Sequence, residues 1–183
     1  AAASAGSFTI AIAPVNDNAP IITSPGGVSV AENTTPVLTV SATDADQPAQ
    51  TLSYSIAGGA DAGLFSIDPA SGILRFATAP DFDIPGDADG NNIYDVVVRV
   101  SDGGLASTQH LSITVLNRNE MPQGNDGRIV VAEDGAHVFT LADFGFADAL
   151  DTPPNNLAAV QIVSGPLRGV LSLGGQAVLD GQW

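Results

Sequence analysis

The sequence predicts an all-β fold, built from two-sheet antiparallel sandwiches of about 100 residues with Ig-like, Greek-key strand order, joined as tandem modules. Three observations predict it. Short apolar runs alternate with period 2, acidic residues gather in the loops between those runs, and a pair of motifs recurs at domain spacing. Asn16-Asp17-Asn18-Ala19-Pro20 returns as Asn119-Glu120-Met121-Pro122, and Val30-Ala31-Glu32-Asn33 returns as Val131-Ala132-Glu133-Asp134. Pro20 and Pro122 lie 102 positions apart, and Glu32 and Glu133 lie 101 apart. That period is the length of one sandwich, so the repeat is a domain repeat.

The strands follow from the alternation. Leu38, Val40 and Ala42 alternate with Thr39 and Ser41; Tyr94, Val96, Val98 and Val100 alternate with Asp95, Val97 and Arg99; Leu111, Ile113 and Val115 alternate with Ser112 and Thr114. Further strands are expected near 27–31, 51–57, 64–67 and 72–77, separated by turn signals such as Gly58-Gly59 and Asp68-Pro69-Ala70-Ser71-Gly72. Phe8, Ile10 and Ile12 continue the pattern, so residues 1–15 read as the last strand of a preceding module. Residues 16–19 are then a linker, 20–116 a complete domain, 117–121 a second linker, and 122–183 an incomplete domain, because 61 residues after Pro122 fall short of the period.

Composition narrows the chemistry. The 183 residues include 17 Asp and three Glu against five basic residues, all Arg, for a formal charge of −15. Asp favours turns and carries its carboxylate on a short stem suited to oxygen-ligated calcium, although simple solubilisation explains the charge equally well. Such a charge excludes a phosphate-backbone partner, so no nucleic acid is expected. The absence of Cys excludes disulfides and thiolate metal sites. No apolar run approaches the roughly 18 residues of a membrane span, and the start lacks a signal-peptide pattern; a mature, soluble segment without membrane insertion is expected. There is no GxSxG elbow and no HExxH, His110 and His137 stand among strand-like residues, and 5% aromatic content leaves few rings for stacking sugars. No catalytic residue is expected, and no enzyme.

The acids cluster as Asp44-Ala45-Asp46, Asp81-Phe82-Asp83, Asp87-Ala88-Asp89-Gly90-Asn91 and Asp102-Gly103-Gly104, each in a loop. Loops of a sandwich collect at its two ends, so acids distant in sequence meet at a pole. Carboxylates brought together repel unless a cation neutralises them, and calcium takes six to eight oxygens. Asp68 reads as a turn former. Asp87, Asp89 and Asn91 are open between a turn and the opening of a calcium loop, and Asp95 reads as solvated on an outer face.

At these residues the chain resembles the cadherin repeats of bacterial surface adhesins and animal cell-adhesion proteins. The matching features are Val15 to Pro20, Ala31-Glu32-Asn33, Ala42-Thr43-Asp44-Ala45-Asp46, Phe65-Ser66-Ile67-Asp68-Pro69 leading to Gly72-Ile73-Leu74, and Asp81-Phe82-Asp83, in family order. The resemblance implies Ca2+ between successive modules. At an upstream junction, Asn16 by its side-chain oxygen, Asp17, and Asn18 by its backbone carbonyl would join Asp44, Asp46 and Asp102. At a downstream junction, Glu32, Asp81 and Asp83 would join Asn117, Asn119 and Glu120, with Asp148 and Asp151 from the following module. The chain departs from the family pattern at Pro14 and Asn117, where the linker usually begins with Asp, and at Asp148 and Asp151, which are three apart rather than two. Those departures imply weaker binding or fewer ions. Arg118, within the second linker, is expected to face water.

The resemblance implies an extracellular or cell-surface adhesin in which calcium stiffens a rod of modules, with neighbouring modules of the same polypeptide as partners and homophilic or head-to-tail self-association as a further route. Two alternatives stand beside it. One is a carbohydrate- or protein-binding accessory module of a secreted enzyme, since folds do not fix functions. The other is the subunit of an extracellular fibre, in which one chain's first strand completes another's last module.

Overall fold

Valine-rich alternation dictates the centre of the structure, and the computed structural model, which describes residues 13–181, places it there. The chain divides after Arg118 into two units. In the first, β1 (Ile21–Ile22), β2 (Gly27–Ala31), β3 (Pro36–Thr39), β4 (Ala42–Thr43), β5 (Ser53–Gly58), β6 (Phe65–Ile67), β7 (Ile73–Phe76), β8 (Ile93–Ser101) and β9 (Ala106–Leu116) form the sandwich. One sheet has the order β2-β9-β8-β5 and the facing sheet β3-β7-β6, while β1 and β4 make a small pair of their own. Phe8, Ile10 and Ile12, expected to form a strand, lie outside the described residues.

Strand period 2 sorts the side chains. Tyr94, Val96, Val98 and Val100 of β8 and Leu111, Ile113 and Val115 of β9 point inward and are buried, meeting Val40, Phe65, Leu74 and Phe76 from the other sheet. Phe65, Phe76 and Tyr94 pack as a trio, with ring centroids 4.5 Å apart for the two Phe and edge-on approaches of 5.1 and 6.4 Å to Tyr94. Nine residues of β8 pair without a break against β9, from Ile93 opposite Thr114 to Ser101 opposite Ala106.

Two features differ from the expected pattern. The run over Leu38, Val40 and Ala42 is not one strand: β3 pairs with β7, then the chain crosses and β4 pairs with β1. Val40 donates its N–H to Gly72 and Ser41 accepts from Thr23, so the backbone is satisfied on opposite sides within two residues. The second difference is that β2 runs parallel to β9, from Gly27 opposite Ser112 to Ala31 opposite Leu116, in a sandwich expected to be antiparallel. Parallel pairing sends the ends of β2 and β9 to the same pole, which brings Glu32 beside Arg118.

The second unit has little regular structure among its described residues. Leu141–Phe144 form a 3-10 turn with a capping box between Thr140 and Asp143, a hairpin joins β10 (Ser172–Leu173) to β11 (Gln176–Ala177), and Gln123 bridges Ala147.

Core packing sets the first testable outcome. Ile113→Ala should lower unfolding free energy by about 3 kcal/mol, within the usual range for truncating a buried aliphatic side chain. Thr114→Ala on the outer face should change it by less than about 0.5 kcal/mol. Urea unfolding followed by tryptophan-independent circular dichroism measures both.

Candidate metal centres

At the pole where β8 ends, the hairpin turn is closed by Asp102. Its Oδ1 accepts the N–H groups of Gly104 and Leu105, each at 2.7 Å, so the carboxylate is fixed while Oδ2 is buried without a partner. Asp44 follows the same logic after β4: Oδ1 accepts from Asp46 N–H at 2.9 Å and Oδ2 is buried without a partner. Oxygens of Asp44, Asp46 and Asp102 lie within 4.8 Å of one another. Asp46 is only 4% exposed and Asp102 8%.

The linker is strapped onto this cluster. Asp46 Oδ2 accepts the backbone N–H groups of Asp17 and Asn18, both at 3.2 Å, and Asp46 Oδ1 accepts from the Asn18 side-chain amide. The Asn16 side chain lies beside the Asp102 turn, where it helps hold that carboxyl low. A Cβ at Gly104 would sit 2.9 Å from the Asn16 amide nitrogen, so the Asn16 side chain would have to shift aside. All six residues expected at the upstream set therefore come together within the first unit.

Donors decide the protonation of this pole. The Asn18 side-chain amide, against desolvation and with the Asn18 and Asp17 backbones adding to it, holds the Asp46 carboxyl below the usual range. For Asp102, burial pushes the carboxyl up, but the Asn16 side chain and the Leu105 and Gly104 amides outweigh it and the net direction is down. A buried carboxylate oxygen with no donor fits a hard, oxygen-ligated dication, and this cluster presents two, with no thiolate or imidazole in the set.

At the opposite pole Glu32 follows directly on β2. It is 1% exposed, and its two oxygens accept different backbones: Oε2 takes Phe82 N–H at 2.7 Å and Oε1 takes Arg118 N–H at 2.6 Å. Asn33 turns the chain at φ 60° and donates its N–H to Pro80. Asp81 Oδ1 accepts from Asp83 and Ile84, while both oxygens of Asp83 are buried without a partner. Oxygens of Glu32, Asp81 and Asp83 lie within 4.8 Å of one another. Asn117 and Arg118 have exposed side chains; Arg118 contributes its backbone N–H here.

In the second unit, Glu120 N–H donates to both oxygens of Asp151 at 3.2 and 3.3 Å. Asn119 is joined by a residue absent from the expected set: Asn155 donates its side-chain amide to Asn119 Oδ1 at 2.8 Å and to Asp151 Oδ2 at 3.3 Å, and its backbone N–H to Asp148 Oδ2 at 2.6 Å. Asp148 Oδ1 is left buried without a partner. The three-residue spacing of Asp148 and Asp151 is thus bridged through Asn155, a link that a motif two residues wide does not show.

The remaining acids shape turns. Asp68 accepts from the backbones of Ala70 and Ser71, as its Asp-Pro setting suggests. Asp87 accepts Asn91 and Asn92 N–H groups with its two oxygens, and the Asn91 amide donates to Asp89. Asp95 lies on the outer face, part-exposed as expected, with the exposed His110 ring 3.4 Å away. Asp61 is a buried residue that motif reading missed, because its partners are 27 and 34 positions away.

The folded segment is thus an all-β sandwich whose two poles are acidic and partly dehydrated. Its residues 27–116 match the family model of the cadherin domain. A 168-residue stretch is 36% identical to Cadherin-23 of Rattus norvegicus, covering 85% of this chain and 5% of that protein. Cadherin-18 of Homo sapiens is 31% identical over 181 residues, covering 91% of this chain and 22% of its own length. A solved structure of Protocadherin Gamma B2 extracellular cadherin domains 3-6 shares 26% identity and superposes with a TM-score of 0.51, over 67% of this chain and 31% of that one. Residues 27–116 are a cadherin domain. The chain spans about a twentieth of the length of Cadherin-23.

Lowered carboxyl pKa values at the first pole make stability depend on pH in a stated direction. With calcium chelated, the contribution of Asp46 and Asp102 should be complete above about pH 4, the ordinary range for Asp, and disappear as pH falls further through their lowered values. Thermal unfolding between pH 6 and pH 2.5 should show the loss, and Asp46→Asn should flatten it.

Proposed function

We propose that this segment is a calcium-binding piece of a large extracellular adhesin, in which calcium rigidifies the junctions between successive cadherin modules so that the array can reach another cell or surface. The observation that carries this reading is the pair of buried, partnerless oxygens on Asp44 and Asp102, set beside Asp46 and strapped by Asn16, Asp17 and Asn18. Those residues would hold the ion and the linker together. Calcium would supply the positive charge that lets the carboxylates remain ionised side by side, and would tie the linker to the pole.

The same roles fall to Glu32, Asp81, Asp83 and Asn117 at the second pole, and to Asn119, Glu120, Asp148 and Asp151 in the following unit. Two parallels support a tandem arrangement. Two residues before Pro20, Asn18 N–H donates to Asp46; two residues before Pro122, Glu120 N–H donates to Asp151. Asn33 and Asp134, matched in the repeated tetrapeptides, both adopt φ 60°. An extracellular setting is supported by the likeness to the extracellular cadherin domains of Protocadherin Gamma B2; no helix among the described residues is long and apolar enough to cross a membrane.

Calcium titration calorimetry on the full chain should give affinities of about 10⁻⁴ to 10⁻³ M, the range of extracellular modules. Small-angle scattering should then show a narrower distribution of conformers in calcium than in chelator, with a changed maximum dimension. An unchanged distribution would contradict the stiffening role.

A further inference from the structure

The loop over residues 81–92 presents Asp81 and Asp83, yet has little apolar anchorage of its own: Ile84 is 73% exposed, and Phe82 is only partly buried against the core. What fixes it is polar. Asp61 lies just ahead of the 3-10 turn Ala62–Leu64, the position of an N-cap, but its side chain makes no cap bond. Instead it crosses to β8, with Oδ1 accepting Ala88 N–H at 2.7 Å and Oδ2 accepting Asp95 N–H at 2.8 Å. Its own N–H donates to Asp95 O at 3.0 Å. This close approach needs Gly59, at φ +113°, where a Cβ would overlap the Asp95 carbonyl.

The brace continues from Ala88 toward the acids. Asp87 gathers Asn91 and Asn92 N–H groups, and Asn92, held at φ 63°, sends its side-chain amide to Phe82 O at 2.9 Å. Phe82 stands between Asp81 and Asp83. Asp61, Asp87 and Asn92 are all at least nine-tenths buried, so losing one of their bonds leaves a costly orphan.

We infer that Asp61, Asp87 and Asn92 are positioning residues for the second-pole acids, setting the loop backbone on which Asp81 and Asp83 are presented to a cation. The inference rests on the calcium reading above for its consequence, and on hydrogen bonds alone for the brace itself. It assigns Asp87 a supporting role, its two oxygens accepting the Asn91 and Asn92 amides that shape the loop.

The test is Asp61→Asn in the full chain, followed by NMR in two arms. In calcium-free buffer, amide exchange at Phe82 and Asp83 should quicken about tenfold, while Gly104 and Leu105 at the other pole exchange as before. On adding calcium, the concentration that half-shifts the Phe82 and Asp83 amides should rise about tenfold, the low end of what losing an outer support costs a metal site; Asp17 and Asn18 should titrate as in the unaltered protein. Should Asp61→Asn fail to fold, Asn92→Gly keeps the left-handed turn, removes only the Phe82 bond, and carries the same expectation. Unaltered exchange and titration at the second pole, or equal losses at both poles, would overturn the brace. If the unaltered chain does not respond to calcium, the calcium reading fails while the exchange arm still decides the brace.

Discussion

Carboxylates that face one another out of bulk water must be reconciled by whatever donates to them, and much of the first unit's irregular structure is organised around that constraint. At each pole, backbone N–H groups are aimed at one oxygen of an acid, which fixes the side chain and leaves the other oxygen turned to its neighbours. Asp102 and Asp44 follow this division of labour closely. Glu32 differs, because both its oxygens take an N–H and tie a strand end, the 81–84 loop and the exit of β9 to one buried point.

The sandwich makes these poles rigid enough to matter. β8 and β9 are long, paired without interruption and packed through their inward valines, leucine and isoleucine, so Asp102 sits on a hairpin that the core cannot let drift. Parallel pairing of β2 with β9 does for Glu32 what the hairpin does for Asp102: it fixes the end of an element beside the end of another. The acids are therefore carried by strand ends and short turns, and the charge problem is concentrated where the backbone offers donors.

A good part of this was legible in the sequence, for identifiable reasons. The alternation in Tyr94 to Val100 and in Leu111 to Val115 marks two-faced strands whose inner faces are buried. The Asp-x-Asp runs were legible as pole residues because a sandwich has nowhere else to put its loops. What was not legible depends on tertiary pairing. The change of sheet at Val40 and Ser41 leaves the alternation intact, and parallel or antiparallel pairing of β2 changes no residue of it. Asp61 and Asn155 act through backbones that are distant in sequence or offset from the motif, so neither carries a local signature.

On the proposed function, the partnerless oxygens at the first pole turn toward a shared cation. A crystal structure of the chain grown in calcium, with the ion identified by its anomalous signal, tests this most directly. An ion is expected about 2.3 to 2.6 Å from Asp44 Oδ2 and Asp102 Oδ2, with Asp46 and residues 16–18 completing its shell. Ordered water in that position, with the Asp44 and Asp102 side chains turned out to solvent in calcium-rich buffer, would contradict it.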